Sequence, residues 1–127
     1  MIDHVSITVA DLAASGTFYD AVLGTLGHGR LVDKPETIGY GKKYPEFWLN
    51  ARPGSPPAAA DSGTHICLRA RTADAVDAFH KAAMDAGGAD DGPPGMRPEY
   101  HDRYYAAFIR DRDGNRIEVV TFLPAVP

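Results

Sequence analysis

Two distant segments of the chain share one pattern of apolar and polar residues. In residues 4–9, Val and Ile alternate with His, Ser and Thr, and in residues 65–70 apolar residues alternate with His, Cys and Arg. Alternation with a period of two predicts a strand with one buried face. In both segments a candidate capping residue, Asp11 or Thr72, follows the strand, and apolar residues then recur at helical spacing up to a glycine stop, at Gly27 and at Gly87. Each segment is therefore predicted to be a strand followed by a helix.

The two segments are also faint copies of each other. Each opens with a histidine, His4 or His65, and carries a phenylalanine 14 residues later and a glycine 23 residues later. A repeated strand–helix unit places the two histidines at equivalent positions. Where two such copies pack about a pseudo-twofold axis, the histidines can face one another across a cleft.

The rest of the pattern completes two similar halves. Residues 52–63 are rich in Pro, Gly and Ala and are predicted to form a linker between the halves. Residues 89–101 are expected to be mostly loop, with room for one short strand. Alternating runs between turn residues predict further strands at residues 28–33, 37–42, 46–51, 104–110 and 115–122.

The resulting order, βαβββ–linker–βαβββ, predicts an α+β fold of paired modules. The modules would form a curved, mainly antiparallel sheet around a cleft, with the helices outside. We expect residues 1–127 to be a single domain, with modules at residues 1–51 and 64–123.

Composition narrows the function without identifying it. A net charge of −4 and the lack of a basic stripe argue against nucleic acid as a partner. The single cysteine excludes an internal disulfide. The first residues do not resemble a signal peptide, and no run approaches the ~20 apolar residues of a membrane span. We expect a cytoplasmic protein that binds a small molecule and has no nucleic-acid or membrane partner.

Three polar residues carry candidate chemistry. His4 and His65 are equivalent in the repeat, and Glu118 lies between Ile117 and Val119 in the last predicted strand. A carboxylate within an apolar strand is costly to bury unless it is paired or coordinated. Two imidazoles and one carboxylate form a set of three ligands for a divalent metal. Spacing alone is equally compatible with surface histidines, so the metal hypothesis depends on the duplicated fold.

The order of several short motifs resembles the vicinal oxygen chelate superfamily, which includes glyoxalase I, extradiol dioxygenases, fosfomycin-modifying transferases, methylmalonyl-CoA epimerase and bleomycin-binding proteins. The resemblance covers essentially the whole chain. It implies paired βαβββ modules and one divalent metal ion (Fe, Mn, Ni or Zn) bound by His4, His65 and Glu118. The motifs are Asp3-His4-Val5-Ser6-Ile7, Phe18-Tyr19, Leu26-Gly27, Gly63-Thr64-His65-Ile66 and Asp111-Arg112-Asp113-Gly114-Asn115-Arg116-Ile117-Glu118.

The chain departs from the family pattern at a fourth ligand position. Glyoxalase I and the epimerase carry a Glu or Gln on their fourth strand. Matching residues 47–49 to residues 117–119 places Trp48 at that position, and Trp is not a metal ligand. The resemblance therefore implies a site of two His and one Glu and argues against glyoxalase I activity. A lyase or isomerase, a ring-cleaving dioxygenase and a thiol transferase remain as alternatives.

Other residues are expected to contact the substrate. Dioxygenases and fosfomycin-modifying enzymes usually carry a Tyr where this chain has Phe108, and Tyr104 on the same face is expected to join Glu118 in catalysis. Residues 92–101 are a candidate loop over the site. The substrate-binding candidates are Trp48, Arg69, Arg97, Tyr100 and Phe108.

One alternative function stays open beside the metal enzyme. A metal-free binding protein of the bleomycin-resistance type would use the same cleft, with aromatic residues stacking on a flat ligand. The resemblance also implies a homodimer, and it leaves open whether the cleft lies within one chain or between two.

Overall fold

The computed structural model describes residues 1–125, so Val126 and Pro127 at the end of the predicted domain lie outside the described residues. The elements follow in the expected order. The first module contains β1 (Val5–Val9), α1 (Leu12–Gly24), β2 (Gly29–Lys34), β3 (Thr37–Gly41) and β4 (Pro45–Ala51). The second module contains β5 (His65–Arg69), α2 (Ala73–Asp85), β6 (Ala89–Met96), β7 (Tyr104–Arg110) and β8 (Arg116–Phe122).

Each module forms one four-stranded mixed sheet. The strand order is β1-β4-β3-β2 in the first sheet and β5-β8-β7-β6 in the second. The first strand of each module pairs parallel with the last, and the other pairs are antiparallel. The two modules also have equivalent strand registers. Ser6 on β1 pairs with Trp48 on β4, and at the equivalent position of the second module Cys67 on β5 pairs with Glu118 on β8. The predicted α+β fold of paired βαβββ modules is thus confirmed.

Both helices begin at the residues that the sequence indicates. The Asp11 side chain accepts a hydrogen bond from the Ala14 amide over 3.0 Å at the start of α1. The Thr72 hydroxyl accepts one from the Ala75 amide over 3.1 Å at the start of α2. Such caps satisfy amide groups that have no partner within the helix. Each helix therefore starts at a defined residue a few positions after β1 or β5.

The two modules share one hydrophobic core. The helices pack against each other and against the apolar faces of the sheets. The other face of each sheet carries the polar residues of the alternating pattern. Core side chains from both modules include Val9, Phe18, Leu49, Phe79, Ile117 and Val119.

Residues 89–101 are more regular than expected. Residues 89–96 form the eight-residue strand β6, although two of them are prolines. The ladder to β7 shifts register between Asp90 and Gly92 and again between Gly92 and Gly95, so Pro93 and Pro94 lie outside its paired positions. β6 is also the edge of its sheet, where prolines without an amide hydrogen are tolerated.

Candidate functional site

His65, Glu118 and Tyr104 meet on the face of the second sheet that points away from the helices. The Nε2 atom of His65 lies 3.0 Å from Oε1 of Glu118, and the Tyr104 hydroxyl donates a hydrogen bond to Oε2 of the same carboxylate. Glu118 is only 3% exposed, although it lies in the middle of β8. His65 and Tyr104, both candidates from the sequence, therefore contact the third candidate, Glu118.

The hydrogen-bond geometry of His65 places its Nε2 lone pair against a Glu118 oxygen, an arrangement that is favourable only with a cation between them. Its Nδ1 lies 3.0 Å from the carbonyl oxygen of Gly63, which only accepts, so Nδ1 carries the hydrogen. A neutral imidazole then presents the lone pair of Nε2 to a carboxylate oxygen. A proton or a metal ion between the two atoms removes the repulsion, and a backbone carbonyl on the far nitrogen is the usual partner of a ligating histidine.

The separation of the two atoms also suits shared coordination. Ligand atoms about 2.1 Å from one ion are ~3.0 Å apart at a right angle and ~3.4 Å apart in a tetrahedron. The observed 3.0 Å between Nε2 of His65 and Oε1 of Glu118 falls at the lower value. The separation is therefore compatible both with shared coordination of a divalent metal and with a direct hydrogen bond between the two side chains.

His4 lies apart from this pair. Its Nδ1 is 2.6 Å from Oδ1 of Asp3, and the ring is half-exposed just before β1. His4 and His65 both line a cavity of about 430 Å³ between the modules, together with Val5, Ile66 and Leu68. Among residues 1–125, however, no group of three His, Cys, Asp or Glu side chains is close enough to hold a metal ion. The three-ligand set remains a prediction.

The Tyr104 phenol and the Cys67 thiol both stay protonated at neutral pH. Burial, with help from the hydrogen bond to Glu118, raises the pKa of Tyr104, so its phenol stays protonated and can donate at neutral pH. Cys67 is partly open to solvent, but burial of its thiol, followed by the nearby Glu118 charge, raises its pKa to about 12. Cys67 is therefore a neutral thiol rather than a reactive thiolate.

Aromatic rings and two guanidinium groups surround the pair of His65 and Glu118. The Phe108 ring lies 6.1 Å from the His65 ring, and the Arg97 guanidinium lies 5.6 Å above Phe108. On the other side, Tyr104 packs edge-on against Phe122, which has Arg69 5.6 Å above it. Tyr100 is exposed and packs against Tyr104 at 5.3 Å. The structure thus gathers most substrate-binding candidates around one centre.

Trp48 lies on the other sheet, at the position that Glu118 holds in the second module. Its ring lies against Gly39 on β3, where an added Cβ would come within 2.9 Å of Cζ3 of Trp48. Beside it, the side-chain amide of Asn50 donates to the hydroxyl of Ser6. The first sheet therefore presents an aromatic surface where a fourth metal ligand would otherwise stand.

The sequence analysis missed a cluster at one end of the second sheet. Arg110 and Arg116 are paired across β7 and β8, and both approach the carboxylate of Asp91, at 3.2 and 3.6 Å. Both also donate to the carbonyl oxygen of Ala60 in the linker. Arg110 lies two residues after Phe108, and Arg116 lies two residues before Glu118. The alternating pattern therefore places both arginines on the face of these two residues, which was the signal for the cluster in the sequence. The cluster fixes the linker beside His65.

No helix among the described residues is long and apolar enough to span a bilayer.

Comparisons with known proteins agree with this architecture. The family model for the Glyoxalase/Bleomycin resistance protein/Dioxygenase superfamily matches residues 1–119. A glyoxalase/bleomycin resistance protein from Albidiferax ferrireducens T118 is 34% identical, with a TM-score of 0.78 over 93% of this chain and 95% of that one. No match was found among curated proteins.

More distant structures share the fold. The fosfomycin resistance protein FosX from Mesorhizobium loti is 17% identical, with a TM-score of 0.71 over 97% of this chain and 92% of that one. A Glu-to-Gln mutant of FosX from Listeria monocytogenes, complexed with Mn(II) and 1S,2S-dihydroxypropylphosphonic acid, is 12% identical, with a TM-score of 0.70 over 94% and 87%. From the family model and the 34% identical relative, the chain belongs to the glyoxalase/bleomycin resistance protein/dioxygenase superfamily.

Proposed function

We propose that this protein is a divalent-metal enzyme that acts on a small, oxygen-bearing substrate. The observation that carries the proposal is the 3.0 Å approach of Nε2 of His65 to Oε1 of the buried Glu118, with Nδ1 of His65 already bonded to a carbonyl. Both residues would be metal ligands. A bound divalent ion would act as a Lewis acid toward substrate oxygen atoms.

Tyr104 would act beside these ligands. Its hydroxyl holds Oε2 of Glu118, which fixes the orientation of the carboxylate and leaves Oε1 for the metal. Because its pKa is raised, the phenol would serve as a hydrogen-bond or proton donor rather than a base. Trp48 supplies no carboxylate from the first sheet, so the proposal excludes a glyoxalase I type of reaction and favours a lyase, isomerase, thiol transferase or dioxygenase.

We also propose that the third ligand, His4, comes from a second copy of the chain. In one chain His4 is bonded to Asp3 and does not join His65 and Glu118. The polar faces of both sheets are open, and apolar residues such as Ile2, Leu31 and Phe122 are exposed. A homodimer that apposes the first sheet of one chain and the second sheet of another would cover these faces and complete two sites.

Metal analysis of the wild type and of ligand variants tests the metal proposal. Protein made without a metal-affinity tag is loaded with Mn²⁺, and the metal content per dimer is measured. The expected result is about two ions per wild-type dimer and none for His65→Ala or Glu118→Gln. A wild-type protein that binds no Mn²⁺, Fe²⁺, Ni²⁺ or Zn²⁺ would overturn the metal proposal.

A heterodimer of His4→Ala and Glu118→Gln chains decides where the site lies. If the site is shared between subunits, one of the two sites in this heterodimer keeps all its ligands, and one ion binds. If each site lies within a chain, both sites are damaged and no ion binds. His28→Ala in place of His4→Ala is the matched control.

The alternative, a metal-free binding protein, has its own observation. The Trp48 ring lies against Gly39, and Phe108, Tyr104 and Phe122 line the second sheet, so a flat ligand could stack without a metal. Tight ligand binding that is unchanged by EDTA and by Glu118→Gln would favour this function over the enzyme.

A further inference from the structure

The side chain of Arg97 is folded back over the second sheet. Its guanidinium donates to the carbonyl oxygen of Pro93 over 2.7 Å and to that of Met96 over 3.4 Å. It lies 5.6 Å from the centre of the Phe108 ring, in the range of a cation–π contact. These contacts hold the long side chain in one direction, so its other N–H groups are positioned in advance.

Two glycines of β6 make room for this conformation. A Cβ at Gly95 would lie 3.1 Å from one terminal nitrogen of Arg97, and a Cβ at Gly92 would lie 3.3 Å from the other. Gly92 also has a φ of +152°, which other residues rarely adopt. The Gly-Pro-Pro-Gly run before Met96 and Arg97 is therefore what allows the guanidinium to lie over Phe108.

This guanidinium has no carboxylate partner. Within residues 1–125, no Asp or Glu oxygen lies within 4.0 Å of Arg97, and the nearby acids are engaged elsewhere. Asp90 accepts from His80 and from the Gly92 amide, and Asp91 pairs with Arg110 and Arg116. The hydrogen bond from His80 lowers the pKa of Asp90, and Arg97 is near enough for its charge to contribute, but no carboxylate forms a direct ion pair with Arg97 among the described residues. A guanidinium held in place without a direct carboxylate partner has N–H groups that can bind an anion.

The surroundings add positive charge. The open face of the second sheet and its β6 rim carry four arginines, Arg69, Arg97, Arg110 and Arg116, against the three carboxylates of Asp90, Asp91 and Glu118, whereas the whole chain has a net charge of −4. Phe108 contacts both Arg97 and His65, with its ring centre 5.6 Å from the guanidinium and 6.1 Å from the imidazole. An anion on Arg97 would thus lie on the same face as the proposed metal ligands, with the guanidinium no more than about 12 Å from the His65 ring.

We infer that Arg97 binds an anionic group of the substrate, and that the substrate class is a small molecule that carries a carboxylate, phosphonate or phosphate group in addition to its metal-binding oxygens. This inference rests on the proposed function for the place of the reaction. The anion contact itself needs only the second module's residues.

Binding of simple probes tests the inference. Benzoate, phenylphosphonate and neutral benzyl alcohol are titrated by calorimetry into the EDTA-treated protein and into the Mn²⁺-loaded protein. We expect both anions to bind more tightly than benzyl alcohol in both forms, with affinity falling as salt rises. Arg97→Gln should weaken the anions at least tenfold and leave benzyl alcohol unchanged.

Two further variants test whether the position of the Arg97 guanidinium matters for anion binding in addition to its charge. Gly95→Ala keeps the charge but shifts the guanidinium by a few tenths of an ångström, so it should weaken the anions less than Arg97→Gln does, whereas Gly29→Ala, with open space around its Cβ, should have no effect. Arg69→Gln removes the arginine near Phe122 and should change anion binding less than Arg97→Gln does. Thermal unfolding of each variant checks that it is folded.

The outcomes separate the two proposals. Equal affinity of wild type and Arg97→Gln for both anions, or a larger loss in Arg69→Gln, would overturn the role of Arg97 even if Mn²⁺ binds. Anion binding that depends on Arg97 in a protein that never binds a metal would support the anion contact at Arg97 and reject both the metal enzyme and the metal-binding part of the substrate class.

Discussion

The phenol of Tyr19 on α1 donates a 2.7 Å hydrogen bond to Oδ2 of Asp111, which precedes β8 in the other module. Both groups are buried. Nearby, Asp113 accepts from the Ala10 amide over 2.9 Å, and the Asn115 side chain donates to the carbonyl of Thr8 over 3.1 Å. The turn that leads into Glu118 is thus bonded to the end of β1, and the relative position of the modules is fixed next to the candidate site.

Removing the Tyr19 hydroxyl should destabilise the protein. In Tyr19→Phe the buried Asp111 carboxylate loses one donor, and we expect the free energy of unfolding to fall by about 1–3 kcal/mol. Urea denaturation measures the change. The exposed Tyr44 serves as the control, because Tyr44→Phe should change stability by less than about 0.5 kcal/mol. Equal stabilities of the two variants would contradict the importance of this bond.

Loss of the Tyr104 hydroxyl should weaken metal binding without abolishing it. In Tyr104→Phe the Glu118 carboxylate keeps its contact with His65 but loses the donor on Oε2. Partners of metal ligands typically contribute ten- to a hundredfold in affinity. We therefore expect Mn²⁺ to bind about tenfold more weakly by calorimetry. Tyr100→Phe, which changes an exposed ring on the same face, should bind Mn²⁺ like the wild type.

A methyl group at Gly39 should displace Trp48. The new Cβ would lie 2.9 Å from both Cζ3 of Trp48 and Cβ of Pro45, so the indole has to move. Because Trp48 is the only tryptophan, its fluorescence reports this movement directly. We expect Gly39→Ala to shift the emission maximum and to lower stability by about 1–3 kcal/mol. Gly29→Ala, with no atom near its Cβ, should leave the spectrum as it is.

Asp20 should make stability fall in acid. Burial alone would raise its pKa, but hydrogen bonds from Arg30, at 2.7 and 2.9 Å, and from Tyr40 outweigh burial and lower it. A lowered pKa in the folded state stabilises the protein above the unfolded value of about 3.9, and this contribution is lost as pH falls through the folded pKa. The difference in unfolding free energy between wild type and Asp20→Asn should therefore be constant near pH 6–7 and shrink below about pH 4.

The same pH series has an internal comparison. Asp61 is exposed in the linker, so Asp61→Asn should have nearly the same unfolding free energy as the wild type at pH 7. A gap between wild type and Asp20→Asn that stays unchanged down to pH 3 would show that the Asp20 carboxylate gains nothing from Arg30.

The sequence by itself determined the local structure and the repeat. Alternation of apolar and polar residues placed β1, β5 and β8, and capping residues and glycines placed both helices, because these signals act over a few neighbouring residues. The repeat gave the paired modules and the equivalence of Trp48 with Glu118. The length of strand β6 was underestimated. Its prolines are tolerated because β6 lies at the sheet edge and shifts register, and both features are properties of the sheet.

Only the tertiary structure decided which side chains meet. His65 and Glu118 are 53 residues apart, and the parallel pairing of β5 with β8 brings them together, whereas His4 does not form a three-ligand group with them among the described residues of one chain. The fold of Arg97 over Phe108 likewise depends on the space left by Gly92 and Gly95. Such contacts follow from packing over long separations, which no local pattern in the sequence encodes.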